Sequence, residues 1–249
     1  MSQYYYKLLI ITIFANFKIF MRYLFLILAS TMSVLSTNAQ IYEIGVFAGG
    51  SNFIGDVGAT SYISPNQLAF GALFKWNRSP RHSYRVSLIF SDLEGIDLKS
   101  NDPRRIQRGY NFNTSITELS TGIEFTFLDF DLHQIGFKST PYLYTGISAA
   151  RHKNYYFSNT GIYTSEDSKS WAFGIPMVIG YKARVSNHII LAAEIGARYT
   201  FSDELDGSVP SAEFREQFSF GNTNSNDWYV FSGITLTYTF GRRPCYCNF

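Results

Sequence analysis

Trp171-Ala172-Phe173-Gly174-Ile175-Pro176-Met177-Val178-Ile179-Gly180-Tyr181-Lys182-Ala183-Arg184-Val185 is the stretch that decides the fold. Its odd-numbered positions are almost all large and apolar, while its even-numbered positions are small or, at Lys182 and Arg184, charged. Successive side chains of an extended strand point to opposite faces, so a period of two marks a β-strand with one apolar face. The same pattern recurs at 67–76, 84–91, 118–127, 189–201 and 228–240, with weaker copies at 42–48 and 143–149. No long segment after Gln40 has a clear helical period of 3.6. The class is all-β, and the strands number eight.

Alternation alone does not choose between water and lipid as the outer solvent. The charges do. Within these segments the charged residues Glu43, Lys75, Arg85, Glu118, Glu124, Lys182, Arg184, Glu194 and Arg198 all fall on the face opposite the apolar one. That second face is otherwise rich in Gly, Ala, Ser and Thr, which suits a crowded barrel interior better than a solvated surface. The expected architecture is an eight-stranded antiparallel up-and-down transmembrane β-barrel, like the small OmpA-type barrels. Its lumen is narrow enough for side chains to fill. The nine charges there read as a structural salt-bridge network, with a proton or ion path as the functional alternative.

Connections support this. The gaps 50–66, 92–115, 151–170 and 202–227 are long, and 77–83, 128–140 and 186–188 are shorter, in strict alternation. Short periplasmic turns, long outer loops and two periplasmic chain ends produce that order. Aromatic residues gather at both strand ends, Trp76, Tyr84, Phe127 and Tyr238 on the turn side and Phe90, Trp171, Tyr199, Phe201 and Trp228 on the loop side, as two interfacial girdles would require.

The 249 residues are 46% hydrophobic, 18% aromatic and 16% charged, which argues for an ordered chain. A net charge of +2 and the lack of a recognition motif give no footprint for nucleic acid. A mean hydropathy of -0.05 excludes a multi-span helical membrane protein but not a barrel, whose alternating strands average near zero. Near the start, Arg22, the uncharged apolar run 23–35 and Thr37-Asn38-Ala39 have the form of a secretory signal. The expected division is 1–20 as an upstream extension, 21–39 as signal peptide, 40–241 as the barrel and 242–249 as a periplasmic tail. A membrane anchor is the rival for the start, but Lys7, Lys18 and Arg22 keep each apolar run shorter than a span.

Four motifs carry a family resemblance. They are Gly49-Gly50-Ser51-Asn52-Phe53-Ile54-Gly55-Asp56, Phe173-Gly174-Ile175-Pro176, Arg198-Tyr199-Thr200-Phe201-Ser202-Asp203 followed by Leu205-Asp206, and Thr237-Tyr238-Thr239-Phe240-Gly241-Arg242-Arg243-Pro244-Cys245. In these the chain resembles the PorG-like outer-membrane barrels of the type IX secretion system. The resemblance implies a non-enzymatic part of that machinery in the cell outer membrane. It also implies partners in outer-membrane lipid and in a periplasmic ring formed by a lipoprotein and its partner protein.

The candidate contacts for that ring lie on the turn side: Phe130, Leu132, Ile135 and Phe137, apolar residues in the 128–140 turn, and Arg242, Arg243, Cys245 and Cys247 in the tail. The alternative for the turn is a cap on the barrel floor. The two cysteines, in an oxidising compartment, are read either as a strained local disulfide or as a bond to a partner. Asp56, Asp203 and Asp206 should meet at the outer rim, where carboxylates from different loops could take Ca²⁺ or simply make Asx-turns. A hydrolase would need a nucleophile or an acid pair beside His82, His133, His152 or His188, and no such motif accompanies them. No catalytic residue, cofactor, metal or small-molecule substrate is assigned. A soluble secreted β-barrel holding a small apolar ligand is the competing reading, and an outer-membrane hydrolase the third.

Overall fold

The computed structural model describes residues 42–132, 136–158, 160–210, 214–222 and 226–241. Eight strands run β1 Tyr42–Ile54, β2 Gln67–Asn77, β3 His82–Ile96, β4 Asn111–Thr126, β5 Ser139–Phe157, β6 Tyr163–Arg184, β7 Ile189–Thr200 and β8 Trp228–Phe240. Each pairs antiparallel with the next, and β8 returns to β1 from Tyr42↔Phe240 through Ile54↔Trp228, so the sheet is a closed barrel. Closure removes the unpaired edge that an open sheet would present. Among the described residues the short helices lie at one end: a 3₁₀ turn at Asp97–Lys99, α1 at Pro103–Arg108 and α2 at Arg215–Phe218. α1 begins as its sequence dictates, with the Asp102 carboxylate accepting from Arg104 N–H at 2.9 Å, Pro103 in its first turn and Gly109 in the left-handed region at its end.

The connections 78–81, 127–138 and 185–188 lie at one end, here the turn end, and 55–66, 97–110, 158–162 and 201–227 at the other, the loop end. The strict alternation of long and short expected from sequence fails in one place. The segment 151–170 is not a loop, because β5 and β6 continue as a hairpin closed by 158–162. A bulge lies between Lys153 and Tyr155.

Register places the side chains. Glu43 pairs with Lys75 and Lys75 with Arg85, so three charges of neighbouring strands stand on one inward row. Outward, the belt includes Ile44, Val46, Phe70, Phe74, Val86, Leu88, Leu119, Ile123, Leu143, Ile147, Phe173, Ile179, Leu191, Ile195, Ile234 and Leu236, all exposed. Glycine matters where strands approach most closely. Gly122 and Gly146 are cross-strand partners, and a Cβ on Gly122 would fall 2.1 Å from the Thr145 carbonyl oxygen. Neither position has room for a side chain.

Candidate functional site

The interior has two storeys. The lower one, toward the turn end, is ionic. Glu124 accepts from Lys182 Nζ and is ion-paired with Lys75 Nζ, each at 2.7 Å, with Arg85 Nη1 at 4.0 Å. Arg85 then forms a two-pronged contact with Glu194, both bonds 2.7 Å, and Tyr142 O–H donates to the same carboxylate. Higher up, Arg198 Nε lies 3.2 Å from Glu118, and Tyr229 O–H donates to Glu118 at 2.6 Å. Seven of the nine charges named from sequence meet in these pairs. Glu43 does not; it accepts from Asn77 and Thr237, both at 2.9 Å. Arg184 donates to the carbonyl oxygens of Ser186 and Asn187 at the turn end.

All nine are buried. Side chains that lined an aqueous channel would be accessible to water. The lower storey is therefore closed at this height, and its paired charges, aimed at one another with short bonds, act as fixed struts.

Aromatic residues make the upper storey. Phe53 and Phe112 meet edge to face with centroids 5.1 Å apart, and Phe112 and Tyr155 at 5.6 Å, within a cluster that includes Leu93, Ile116, Phe157, Tyr229 and Phe231. Loops fold down onto it, burying Val57 and Leu205 completely.

A latch holds those loops. Asp206 Oδ2 accepts from the N–H groups of Asp56 and Val57 at 2.7 and 3.1 Å, and its Oδ1 from Ser208 N–H at 2.9 Å. Asp227 accepts from Leu205 N–H, while Tyr155 O–H donates to the Leu205 carbonyl. On the opposite side, Asp97 accepts from Gly58 N–H at 2.8 Å and is gripped by Arg108 Nε at 2.8 Å, and Arg108 also donates to the Asp56 carbonyl. Burial, with Asp206, Asp56 and Glu204 nearby, pushes the Asp203 carboxyl up to about 7. Burial likewise raises Asp206 and Asp227.

Asp206 thus meets the Asp56 segment, but through backbone N–H groups. Among the described residues no three His, Cys, Asp or Glu side chains are arranged to hold a metal ion. Asp97, Arg108 and Asp227 had no signal in the sequence, because loop residues carry no periodicity and their partners are distant in the chain.

At the turn end, Phe130 and Leu132 are 5% and 3% exposed and pack with Ile190, with Lys182 Nζ 4.7 Å from the Phe130 ring centre. They form the floor of the ionic storey, and the open apolar surface expected of them is absent. Phe137 is 75% exposed. Ile135, Arg242, Arg243, Cys245 and Cys247 lie outside the described residues, as does the signal segment.

The three described histidines do not converge. His82 bonds Ser79 across an exposed turn, with Ser79 Oγ also accepting the His82 and Arg81 N–H groups; His188 contacts the Thr239 carbonyl, and His152 is buried at the loop end. His133 lies outside the described residues.

No curated protein matches the chain. Among solved structures, Neisserial surface protein A is similar at 11% identity and a TM-score of 0.48, over 82% of this chain and 99% of that one. Ail, the attachment invasion locus protein of Yersinia pestis, is similar at 10% and 0.44, over 82% and 100%. The N-terminal β-barrel domain of Pseudomonas aeruginosa OprF is similar at 11% and 0.42, over 82% and 100%. Residues 19–249 match the family model described as Domain of unknown function (DUF6089), and the chain belongs to that family.

Proposed function

We propose that the chain is an outer-membrane barrel that serves, without catalysis, as a fixed membrane part of a type IX protein secretion machinery, its turn end meeting the periplasmic ring. The observation that carries the membrane reading is the outward belt: every strand shows exposed apolar side chains at mid-height, while the strand charges at that level are buried inside. A soluble protein with such a surface around its whole girth would aggregate. The filled lumen supports a scaffold rather than a channel or a ligand-binding barrel. The secretion reading is supported by the motif resemblance at 49–56, 173–176, 198–206 and 237–245.

Membrane placement is tested by fractionation and by Ile179→Arg, at mid-strand and 60% exposed. We expect the chain in the outer-membrane fraction and a loss of about 2–4 kcal/mol of barrel stability in lipid. A soluble chain, or an unaffected variant, overturns the assignment. The partner reading is tested by co-purification. Since Phe130 and Leu132 are occupied by the floor, the contact narrows to Phe137, Ile135 and the tail with Arg242, Arg243, Cys245 and Cys247. Phe137→Ser combined with removal of 242–249 should release the ring proteins from a folded barrel. Retention of the ring by that variant, with its loss on shortening 201–227, would place the partner at the other end.

A further inference from the structure

The extended β5–β6 hairpin carries a charge arrangement that the barrel itself does not need. Lys153 and Lys169 are cross-strand partners, both exposed, and Arg151 stands opposite Trp171 on the same outward face. Like charges directly opposite one another destabilise a sheet. Among the described residues no carboxylate lies within ion-pair distance of any of the three. The nearest acids in sequence, Glu166 and Asp167, lie in the bulged part of β6, where the Asp167 carboxylate is turned back to Ser165. The β4 partner of Arg151 is the neutral Thr117, and the acids at this level, Asp92 and Glu94, belong to β3, on the far side of β4.

Height along the barrel gives the cluster its meaning. On β5 the outward row passes from Ile147 and Ala149 to Arg151 and Lys153, and on β6 from Phe173 and Trp171 to Lys169. The charges therefore begin where the apolar belt stops. The Arg151 guanidinium lies 5.8 Å from the Trp171 ring centre, so the belt's last aromatic also steadies the first cation. An aromatic at the headgroup level with cations directly beyond it is the geometry for lipid phosphate. Directly opposed strand residues have Cβ atoms about 5 Å apart, close enough for two ammonium groups to share one phosphate. Arg151, about 7 Å along the strand, reaches a second oxygen or a second phosphate.

We propose that Arg151, Lys153 and Lys169 form a binding site for the phosphate groups of lipid headgroups in the leaflet at the loop end. The site rests on the membrane reading above. It explains why the hairpin keeps two opposed lysines uncompensated: the neutralising charge is in the lipid.

The test uses the full chain in phosphatidylcholine nanodiscs, with diphosphoryl lipid A as the probe and native mass spectrometry as the readout. The wild-type barrel should retain lipid A in a salt-sensitive manner. Arg151→Thr, Lys153→Thr, Lys169→Thr in one chain should weaken retention about a hundredfold, at roughly fivefold per cation. Asp92→Ser, on β3 at the same height, should leave retention unchanged or slightly stronger. Retention by the triple variant within twofold of wild type overturns the site. So does competition by millimolar inorganic phosphate as effective as lipid, which would make it a site for free anions. A wild-type chain that fails to enter phosphatidylcholine overturns the membrane reading itself, and the proposal with it. A triple variant that inserts and folds yet loses lipid A separates the two.

Discussion

The two storeys of the lumen are held by opposite kinds of force. The lower one is directional and collective: Glu124 serves two lysines at once, and Arg85 ties Glu124 to Glu194, with Arg198 and Glu118 as a separate pair above them. The upper one is apolar and graded, with rings and aliphatic side chains each touching several neighbours, and its lid of loops is closed by N–H groups bonded to Asp206 and Asp97. The difference fits the surroundings. At mid-belt the strands present apolar side chains outward and meet only one another's side chains inside, so a shape-specific ionic lock fixes the strand register. Nearer the loop end, water can reach the rim, and packing plus latching suffices.

The largest expected effect breaks the lower storey. Glu124→Gln removes the charge shared by Lys75 and Lys182 and leaves buried cations uncompensated, at a cost of roughly 3–5 kcal/mol. Adding Lys75→Met and Lys182→Met to it should recover much of that loss, because removing a whole buried cluster is far milder than removing one partner. Urea unfolding of the barrel in lipid vesicles measures both. A loss below about 1 kcal/mol for Glu124→Gln would show that the ion pairs are ornaments on a barrel held otherwise.

The upper storey should respond in small, additive steps. Ile116→Val, at a fully buried position, should cost about 0.5–1.5 kcal/mol in the same assay. Combining it with Glu124→Gln should give the sum of the two losses, because residues without shared partners do not couple. A combined loss clearly different from the sum would mean that the storeys form one cooperative unit.

How much of this was legible follows from where the alternation comes from. An apolar outer belt and packed side chains inside impose opposite demands on successive residues, so every strand announced itself wherever the belt lies, and Lys182, Glu194 and Arg198 could be read as inward from position alone. Beyond the belt the outward face of β5 turns polar, while its inward positions next to Arg151 and Lys153 are His152 and Asn154, polar side chains that are nonetheless buried. Arg151-His152-Lys153-Asn154 therefore carries no polarity contrast, and the β5–β6 extension looked like a loop. Phe130 and Leu132 failed for a different reason: composition shows that a turn is apolar, but not whether the turn folds back beneath the floor. The rim latch was illegible because it joins Asp206 to Val57 across most of the chain, and only the closed barrel brings those loops together.

The smallest effect concerns pH, and it separates the storeys in another way. Asp203 has its carboxyl raised to about 7 by burial first and then by Asp206, Asp56 and Glu204, against about 3.9 in an unfolded chain. A raised carboxylate favours the folded form when protonated, so its stabilising contribution is full below about pH 4 and is lost as pH climbs through about 7. Asp206 and Asp227 shift in the same direction, again chiefly through burial, while the neighbouring cations are already engaged, Arg215 with Glu204 and Arg108 with Asp97. Between pH 5 and pH 8 the lid should therefore loosen. Hydrogen-exchange protection factors, which remove the intrinsic pH dependence of exchange, should fall at Asp56, Val57 and Leu205 while the ladder at Glu194 and Ile195 stays unchanged. Asp203→Asn should flatten that fall, since an amide has no proton to lose. If the variant loosens with pH as the wild type does, the sensitivity belongs to Asp206 or Asp227; if the wild type does not loosen at all, the lid is held by packing, and the acids at the rim are neutral bystanders to it.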